Sequence, residues 1–279
     1  MSVENIILFD MDGTLTEPRQ RIDMVTTNKV LSILAKGHDV GIVTGSPEDY
    51  IHEQVGLLLD EVIEHPYWPE GPQQLHLLPC NGTKYIVYDR NGCKKEIASN
   101  NMAESIGEES FINVMSALID FQASEAQTLV MSGQALTGNF IQYRGSMINW
   151  CPIGRNANHK ERAAFVDFDN ATNFRNGIKD TIDMWLIANR LSERLTVALG
   201  GSTSFDIYPA GWDKTYALRW FPEQTCWFVG DKCQPGGNDQ HLYDALKPAG
   251  RSFETKNPTE TIEIIERILS TLSPDSSVG

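Results

Sequence analysis

The chain has 279 residues, of which 41% are hydrophobic and 22% are charged, and these are ordinary values for a globular protein with a sizeable core. Its formal net charge of −14 argues against a general electrostatic attraction to nucleic acid or to an anionic membrane surface. The five cysteines form no CxxC pair, and the sequence contains neither a signal peptide nor an apolar run of about 18 residues. We therefore expect a soluble, cytoplasmic protein with reduced thiols, and no nucleic-acid or membrane partner.

The first predicted element is a short buried strand, Ile6 to Phe9, which is followed directly by the sequence DMDGT. Asp10 and Asp12 are two residues apart, so both side chains project in nearly the same direction beyond the end of the strand. Open α/β sheets bind their ligands at this edge. Because two neighbouring carboxylates repel each other without a cation or a proton, the pair suggests a Mg2+ site. The alternative is an ordinary strand-end turn, in which Asp and Gly are common.

A helix is predicted next from Met24 to Leu34, and a second buried strand from Val40 to Val43. Strand, helix and strand at this spacing predict a right-handed βαβ unit. The strand ends in TGS, and Pro47 begins a further helix that extends to about Leu59. A Ser46 hydroxyl in this position can bind phosphate, although the local sequence by itself favours a cap for the helix that follows.

The middle of the chain has a different pattern of predicted elements, in which strands with alternating polar and apolar residues occur together with amphipathic helices. KYIVYD and KKEIA flank a hairpin turn, and a helix is predicted from about Glu109 to Phe121. NFIQYRG and SMINWCP alternate like paired antiparallel strands. A helix starts in NHKERAAFVDF and is either continued or repeated from Phe174 to Leu191, and LTVAL and TSFDIYP are further strands. The pattern predicts an α+β domain at residues 82–210, inserted into a core made of residues 1–81 and 211–279. Its two connections permit a hinged closure over the strand ends.

From residue 211 the doubly wound α/β pattern resumes. CWFVGD is a third buried strand, which ends in Asp231, and helices are predicted around His241 to Leu246 and in PTETIEIIERILSTL. The predicted fold class is therefore a doubly wound α/β core with an inserted α+β domain.

The acidic and basic residues of the core suit phosphoryl transfer through a carboxylate. Asp10 could attack phosphorus and form an aspartyl-phosphate. Mg2+ held by Asp10, Asp231 and the backbone carbonyl of Asp12 would offset the repulsion between the carboxylate and the phosphate. Lys214 would bind the equatorial oxygens and the developing charge. Asp12 could act as the general acid and base, and Asp239 is the remaining acid of the set.

This set of residues resembles the haloacid dehalogenase superfamily, because DMDGT, a strand-end serine, a lysine and VGDKCQPGGND occur in that order. Further motifs resemble the eukaryotic-type phosphomannomutases, and the resemblance covers most of the chain. They are DMDGTLTEPRQ, YRGSMINWCPIGR, GGSTSFDIYPAGWDKTY and GDKCQPGGND.

The resemblance implies a fold with a cap domain, dimerisation through the caps, and interconversion of mannose 6-phosphate and mannose 1-phosphate through a hexose 1,6-bisphosphate. It also implies Mg2+, a role in supplying GDP-mannose, and roles for Asp10 as nucleophile and Asp12 as general acid and base. Asn238 and Asp239 would contact the metal ligands but not the metal itself. The implied substrate contacts are Arg19, Ser46, Arg144, Arg155, Arg162, Ser204 and Asp206.

The chemistry of these side chains agrees with a mutase, which must hold two phosphates at once. Arginine forks in the inserted domain suit the phosphate that does not react, and Ser204 and Asp206 share one face of a strand. Surface ion pairs are the alternative fate of such arginines. The chain also departs from the family pattern: PCNG replaces PENG, and YDALKP replaces FTDPRT, which weighs against a second cation site near Tyr243 to Pro248.

Two other functions fit the same motifs. A sugar-phosphate phosphatase with the same inserted domain would share the phosphoenzyme, but water rather than a sugar hydroxyl would attack it. A binding module that has kept the fold is the third reading, and the intact set of Asp10, Asp12, Lys214 and Asp231 argues against it.

Overall fold

The computed structural model describes residues 4–64, 74–89 and 91–272. The chain divides into two compact units, which are the core unit (residues 1–99 and 214–279) and the inserted unit (residues 100–213). In chain order the helices and strands are β1 (Asn5–Phe9), α1 (Met24–Ala35), β2 (Asp39–Val43), α2 (Glu48–Glu64), β3 (Leu75–Leu78), β4 (Lys84–Tyr88), β5 (Lys94–Ser99), α3 (Met102–Ile106), α4 (Glu108–Met131), β6 (Ile141–Tyr143), β7 (Ile148–Trp150), α5 (His159–Thr172), α6 (Phe174–Ala188), β8 (Leu195–Gly200), β9 (Ser204–Pro209), β10 (Thr225–Gly230), α7 (Gln240–Leu246), β11 (Ser252–Glu254) and α8 (Pro258–Leu272).

The core unit is built on a seven-stranded sheet with the strand order β11-β10-β1-β2-β3-β4-β5. The five strands from β11 to β3 are parallel, and β4 and β5 are antiparallel to their neighbours. Both faces of β1 are covered, because Ile7 and Phe9 pack with α1, α2 and α8, whereas Ile6 and Leu8 pack with α7 and residues 217–221. Burial on both faces explains why these strands are continuously apolar. The predicted doubly wound α/β core is confirmed.

The hairpin of β4 and β5 belongs to the core unit. The sequence assigns residues from 82 onward to the inserted domain, but β4 pairs with β3 and extends the larger sheet, so the units divide after Ser99 and before Lys214. Alternation along KYIVYD and KKEIA indicates a hairpin, but it does not say which sheet the hairpin joins.

The inserted unit is a four-stranded antiparallel sheet with the order β6-β7-β9-β8. One face of the sheet is apolar, and it packs against buried side chains of α4 and α6 such as Leu118 and Ile182. Trp150 and Phe205 lie opposite each other on this face, with their rings stacked 5.0 Å apart. This separation of faces follows from the alternation that the sequence shows in both strands.

One helix of the inserted unit differs from the prediction, and at a second the structure decides between two alternatives that the sequence leaves open. Helix α4 continues to Met131, ten residues beyond the predicted end at Phe121, because residues 122–128 are polar or small and interrupt the apolar period. The segment after Asn158 forms two helices, since Asn173 adopts a left-handed conformation with φ of 56° and ends α5.

The N-terminus of α2 is tied to the β4–β5 hairpin by an ionic cluster. Glu48 binds the Nζ atoms of Lys84 and Lys94 at 2.7 and 2.5 Å. Burial acts to raise the pKa of Glu48, but the hydrogen bonds from both lysines outweigh it and lower the pKa to about 2. Such a carboxylate stabilises the fold above its unfolded pKa of about 4.3, and this stabilisation is lost as the pH falls toward 2.

We expect Glu48→Gln to lower the free energy of unfolding at pH 7 by about 1 kcal/mol, since the ion pairs are partly exposed to solvent and screened. The difference from the unsubstituted protein should shrink as the pH falls from about 4.3 toward 2, where both chains carry a neutral side chain. Urea denaturation between pH 7 and pH 3 measures this. Glu53→Gln, an exposed substitution on the same helix, is the control. Equal pH dependence of the two variants would contradict the role of Glu48.

Candidate active site

The candidate site of the core unit lies at the carboxyl ends of three adjacent strands. Asp10 follows β1, Ser46 lies in the loop after β2, and Asp231 follows β10. Because β10, β1 and β2 are neighbours in the parallel sheet, their ends meet at one edge. Asp10 is 3% exposed, and its backbone N–H donates to the carbonyl of Val229 at 2.9 Å, which fixes the start of the loop.

Lys214 connects the carboxylates of this edge. Its side chain is fully buried, and Nζ lies 2.5 Å from Oδ1 of Asp10 and also donates to Oδ1 of Asp239. Burial acts to lower the pKa of Lys214, but the charges of the two aspartates outweigh this and raise it, so the side chain is charged. Lys214 begins a 3-10 segment that is anchored at its end, where Nε1 of Trp220 donates to the carbonyl of Gly82 at 2.8 Å.

Three carboxylates gather around this lysine. Asp10, Asp231 and Asp239 each offer an oxygen, and the three oxygens lie within 4.8 Å of one another. Burial and the charge of Asp239 raise the pKa of Asp10 well above its ordinary value, although Lys214 opposes the shift. The pKa of Asp231 is raised as well, chiefly by burial. One ammonium group therefore lies among two buried carboxylates and the half-buried Asp231, and the cluster carries an excess of negative charge.

The cluster fits a small divalent cation. Oδ1 of Asp231 and Oδ1 of Asn238 are buried, and neither has a hydrogen-bond partner among the residues that the structure describes. Buried acceptor oxygens without donors are costly unless something else satisfies them. Mg2+ prefers such oxygen ligands.

The loop after β1 turns sharply at Gly13. This residue has a φ of 86°, and a Cβ atom there would lie 2.4 Å from Oδ2 of Asp231, so both the conformation and the space require glycine. The side chain of Asp12 points along the loop, where Oδ1 accepts the backbone N–H of Arg19 at 2.8 Å. The side chain of Asp12 therefore lies outside the carboxylate cluster. The predicted contact of its backbone carbonyl with the metal stays a prediction.

Ser46 and Asp239 hold the flanking loops. Ser46 is half-buried, and its carbonyl accepts the backbone N–H of Cys80 at 3.0 Å. Oδ2 of Asp239 accepts the backbone N–H of Lys232 at 2.9 Å, which closes the loop that follows Asp231. Asp239 thus touches Lys214 directly, and its predicted support of the metal ligands stays a prediction. Arg19 is exposed and has a positive φ of 61°.

The inserted unit has a second group of predicted site residues, on the sheet face opposite its apolar core. Gln142, Asn149 and Asp206 are paired across β6, β7 and β9, and Ser204 lies two residues before Asp206 on the same face. We call these four residues the polar face. Asn149 and Ser204 are 3% and 4% exposed, and Asp206 is half-buried.

Each predicted arginine of the inserted unit is half-buried and hydrogen-bonded to a neutral side chain. The three bonds run from Arg144 Nε to Gln142 Oε1 at 3.2 Å, from Arg155 Nη1 to Asn149 Oδ1 at 2.6 Å, and from Arg162 Nη2 to Thr203 Oγ1 at 2.6 Å. A neutral partner of this kind can orient a guanidinium group, whose fork of donors suits a phosphate.

The sequence gives no role to these neutral partners. Asn149 could have been noticed, because it is a polar residue between Ile148 and Trp150 in a strand that is otherwise apolar. Thr203 gives no such signal, since it lies in the turn between β8 and β9.

The fold of this chain is similar to that of haloacid dehalogenase-like proteins. A haloacid dehalogenase-like hydrolase from Bacteroides thetaiotaomicron superposes with a TM-score of 0.55 at 16% identity, over 95% of this chain and 99% of that one. The IMP-nucleotidase of Plasmodium falciparum superposes with a TM-score of 0.67 at 14% identity, over 96% of this chain and 68% of that one. At these identities the likeness concerns the fold.

The sequence comparisons are more specific. The eukaryotic phosphomannomutase family matches residues 27–271. A phosphomannomutase of Dendrobium officinale is 32% identical over 261 residues, covering 91% of this chain and 90% of that protein. One of Drosophila melanogaster is 32% identical over 272 residues, covering 95% and 96%. The chain belongs to the eukaryotic phosphomannomutase family, as its motifs predict.

Proposed function

We propose that this phosphohexomutase interconverts mannose 6-phosphate and mannose 1-phosphate through an aspartyl-phosphate on Asp10 and a hexose 1,6-bisphosphate. The observation that carries the proposal is the buried contact of Lys214 with Asp10, at the strand ends of a protein of this family. A lysine in this position shields the attacking carboxylate from the negative phosphate and binds the charge that develops on phosphorus.

The reaction has two phosphoryl transfers through Asp10. In the first, the free hydroxyl of a hexose monophosphate attacks the phosphoaspartate, Asp12 removes the proton of that hydroxyl, and the bond from phosphorus to the Asp10 carboxylate breaks, so that a hexose 1,6-bisphosphate forms. After the bisphosphate turns end for end, a carboxylate oxygen of Asp10 bonds to the other phosphorus while its bond to the sugar oxygen breaks, and Asp12 gives that oxygen its proton. The isomeric monophosphate is released and the phosphoaspartate is restored.

Mg2+ is the cofactor that we propose for this cluster, since phosphomutases of the haloacid dehalogenase type generally use it. Asp10, Asp231 and the backbone carbonyl of Asp12 would hold the ion, and Asn238 and Asp239 would support these ligands. When bound, it offsets the repulsion between the carboxylates and the phosphate oxygens.

The inserted unit would supply the contacts to the rest of the substrate. Arg144, Arg155 and Arg162 would bind the phosphate that does not react, which suits guanidinium groups oriented by neutral partners. Ser204 and Asp206 would bind hydroxyl groups of the sugar. In the core unit, Arg19 and Ser46 would add contacts to the substrate, and closure around it would exclude water from the phosphoaspartate.

A coupled assay separates this function from a phosphatase. We expect purified protein with Mg2+ to convert mannose 1-phosphate to mannose 6-phosphate, with a rate that rises when a hexose 1,6-bisphosphate is added as activator. Release of inorganic phosphate, measured in the same reactions, should be much slower than isomerisation. Phosphate release without isomerisation would instead assign a sugar-phosphate phosphatase.

The proposal extends to assembly, location and pathway. A homodimer formed through the inserted unit is supported by exposed apolar side chains on α4 and α6, including Ile112, Ile119 and Ile187. A reducing, cytoplasmic location is supported by the five cysteines, all of which are free. Within the described ranges, none of the helices has the length and hydropathy that crossing a membrane requires. The mannose 1-phosphate formed would supply the synthesis of GDP-mannose.

A further inference from the structure

Asn149 lies at the centre of the polar face and bonds to two of the proposed substrate-binding residues. Its Nδ2 donates to Oδ1 of Asp206 at 2.6 Å, and its Oδ1 accepts from Nη1 of Arg155 at 2.6 Å. The side chain is 3% exposed, and Nδ2 makes one further contact, to the carbonyl of Phe205 at 3.3 Å. An amide side chain can donate to a carboxylate through its nitrogen and accept from a guanidinium group through its oxygen.

The strand register explains why the three side chains meet. Asn149 in β7 lies directly opposite Asp206 in β9, at the distance where cross-strand side chains touch. Arg155 follows β7 by five residues, after a turn in which Gly154 donates to the carbonyl of Cys151 at 2.8 Å. The turn therefore brings the guanidinium group of Arg155 back to β7.

The carboxylate of Asp206 also lies close to the backbone of the neighbouring strand, β8. A Cβ atom on Gly200 of β8 would lie 2.7 Å from Oδ2 of Asp206. Gly200 lies in a regular antiparallel strand, so its backbone conformation does not require glycine. The carboxylate of Asp206 requires it, because a side chain at this position would take up its space. Gly200 thus leaves room for the carboxylate of Asp206, and the hydrogen bond from Asn149 fixes its direction.

We propose that Asn149 is a positioning residue, which sets the orientation of Arg155 and Asp206 together and so couples the distal phosphate site to the site for the sugar hydroxyls. The inference rests on the proposed function, which assigns substrate contacts to these two residues. A guanidinium group and a carboxylate that are already oriented lose less side-chain entropy when the substrate binds. A displacement of about 1 Å at such groups is enough to cost about 100-fold in rate.

Two substitutions of Asn149 test the inference. Asn149→Leu is close in size and removes both hydrogen bonds, whereas Asn149→Asp keeps an acceptor for Arg155 and sets a carboxylate against Asp206. For each we expect kcat/KM with mannose 1-phosphate to fall about 10- to 100-fold, mainly through a higher KM. Gly200→Ala should raise KM as well, because it displaces the same carboxylate from the other side.

The control for general damage to the sheet is Ile207→Val, which shortens a buried side chain on the opposite face of β9. It should leave KM unchanged, although it lowers thermal stability by about as much as the Asn149 substitutions do. Hydrolysis of acetyl phosphate, a phosphoryl donor without a sugar, should be the same in all these variants. Its rate reports on the core unit, where none of the substitutions lies.

A double variant shows whether Asn149 acts through Asp206. If it does, adding Asn149→Leu to Asp206→Ala should lower kcat/KM by a much smaller factor than Asn149→Leu does alone. An unchanged KM in Asn149→Leu, with raised KM in Asp206→Ala and Arg155→Ala, would overturn the inference and leave the proposed function standing. An unchanged KM in all three would show instead that the assigned substrate contacts are wrong, and the inference would fall with them.

Discussion

Replacement of Asp10 by asparagine is expected to abolish mutase activity, with a fall in kcat of about 10⁴-fold or more. The amide has nearly the same shape as the carboxylate but is not a nucleophile, so the bond to phosphorus cannot form. Lys214 keeps its contact to Asp239 in this variant, and the fold should persist. The measurement is the coupled assay together with trapping of a labelled phosphoenzyme from a radioactive hexose 1,6-bisphosphate.

Asp12→Asn is the matched comparison for Asp10→Asn. It replaces the neighbouring acid, which we assign to proton transfer, so some phosphoenzyme should still form while turnover becomes slow. Asp10→Ala excludes activity that arises from deamidation of the new asparagine. Label on the Asp10→Ala protein, or turnover in Asp12→Asn equal to that of the unsubstituted enzyme, would refute the assigned roles.

Lys214→Met should have the second largest effect, on activity and on stability together. The side chain is fully buried and contacts two carboxylates, so its loss leaves buried negative charges without a partner. Breaking a buried ion pair in this way costs about 3–5 kcal/mol of unfolding free energy. Losing the positive charge beside the reacting phosphate should lower kcat by about 10²- to 10³-fold. Urea denaturation and steady-state kinetics below the melting temperature measure the two effects.

Two further variants separate the effects of Lys214 on folding and on chemistry. Adding Asp239→Asn to Lys214→Met removes one of the buried charges, and this should restore part of the stability but not the activity. Lys232→Met removes a partly exposed lysine at 3.8 Å from Asp231, and it should change both quantities little. Full activity in Lys214→Met would exclude the assigned role of the lysine in phosphoryl transfer.

The core fold could be predicted because its signals are local. The apolar runs before Asp10 and Asp231 and the helical periods between them identify the parallel strands and the helices of the βαβ units. A strand that ends in an acid places that acid at the carboxyl edge of the sheet whichever neighbours it has. Periodicity could not fix the end of α4, where residues 122–128 are polar or small, nor the division between α5 and α6.

The sequence by itself determined the fold class, the family and the residue types of the site, since strand-end acids and family motifs are properties of short segments. Only the tertiary structure decided that the β4–β5 hairpin extends the core sheet, that Lys214 touches Asp10 from 204 residues away, and that Asn149 joins Arg155 to Asp206. The reason is physical. Periodicity tells which face of a strand is buried, but the partners of a strand and the contacts of a buried polar group depend on segments far apart in the chain.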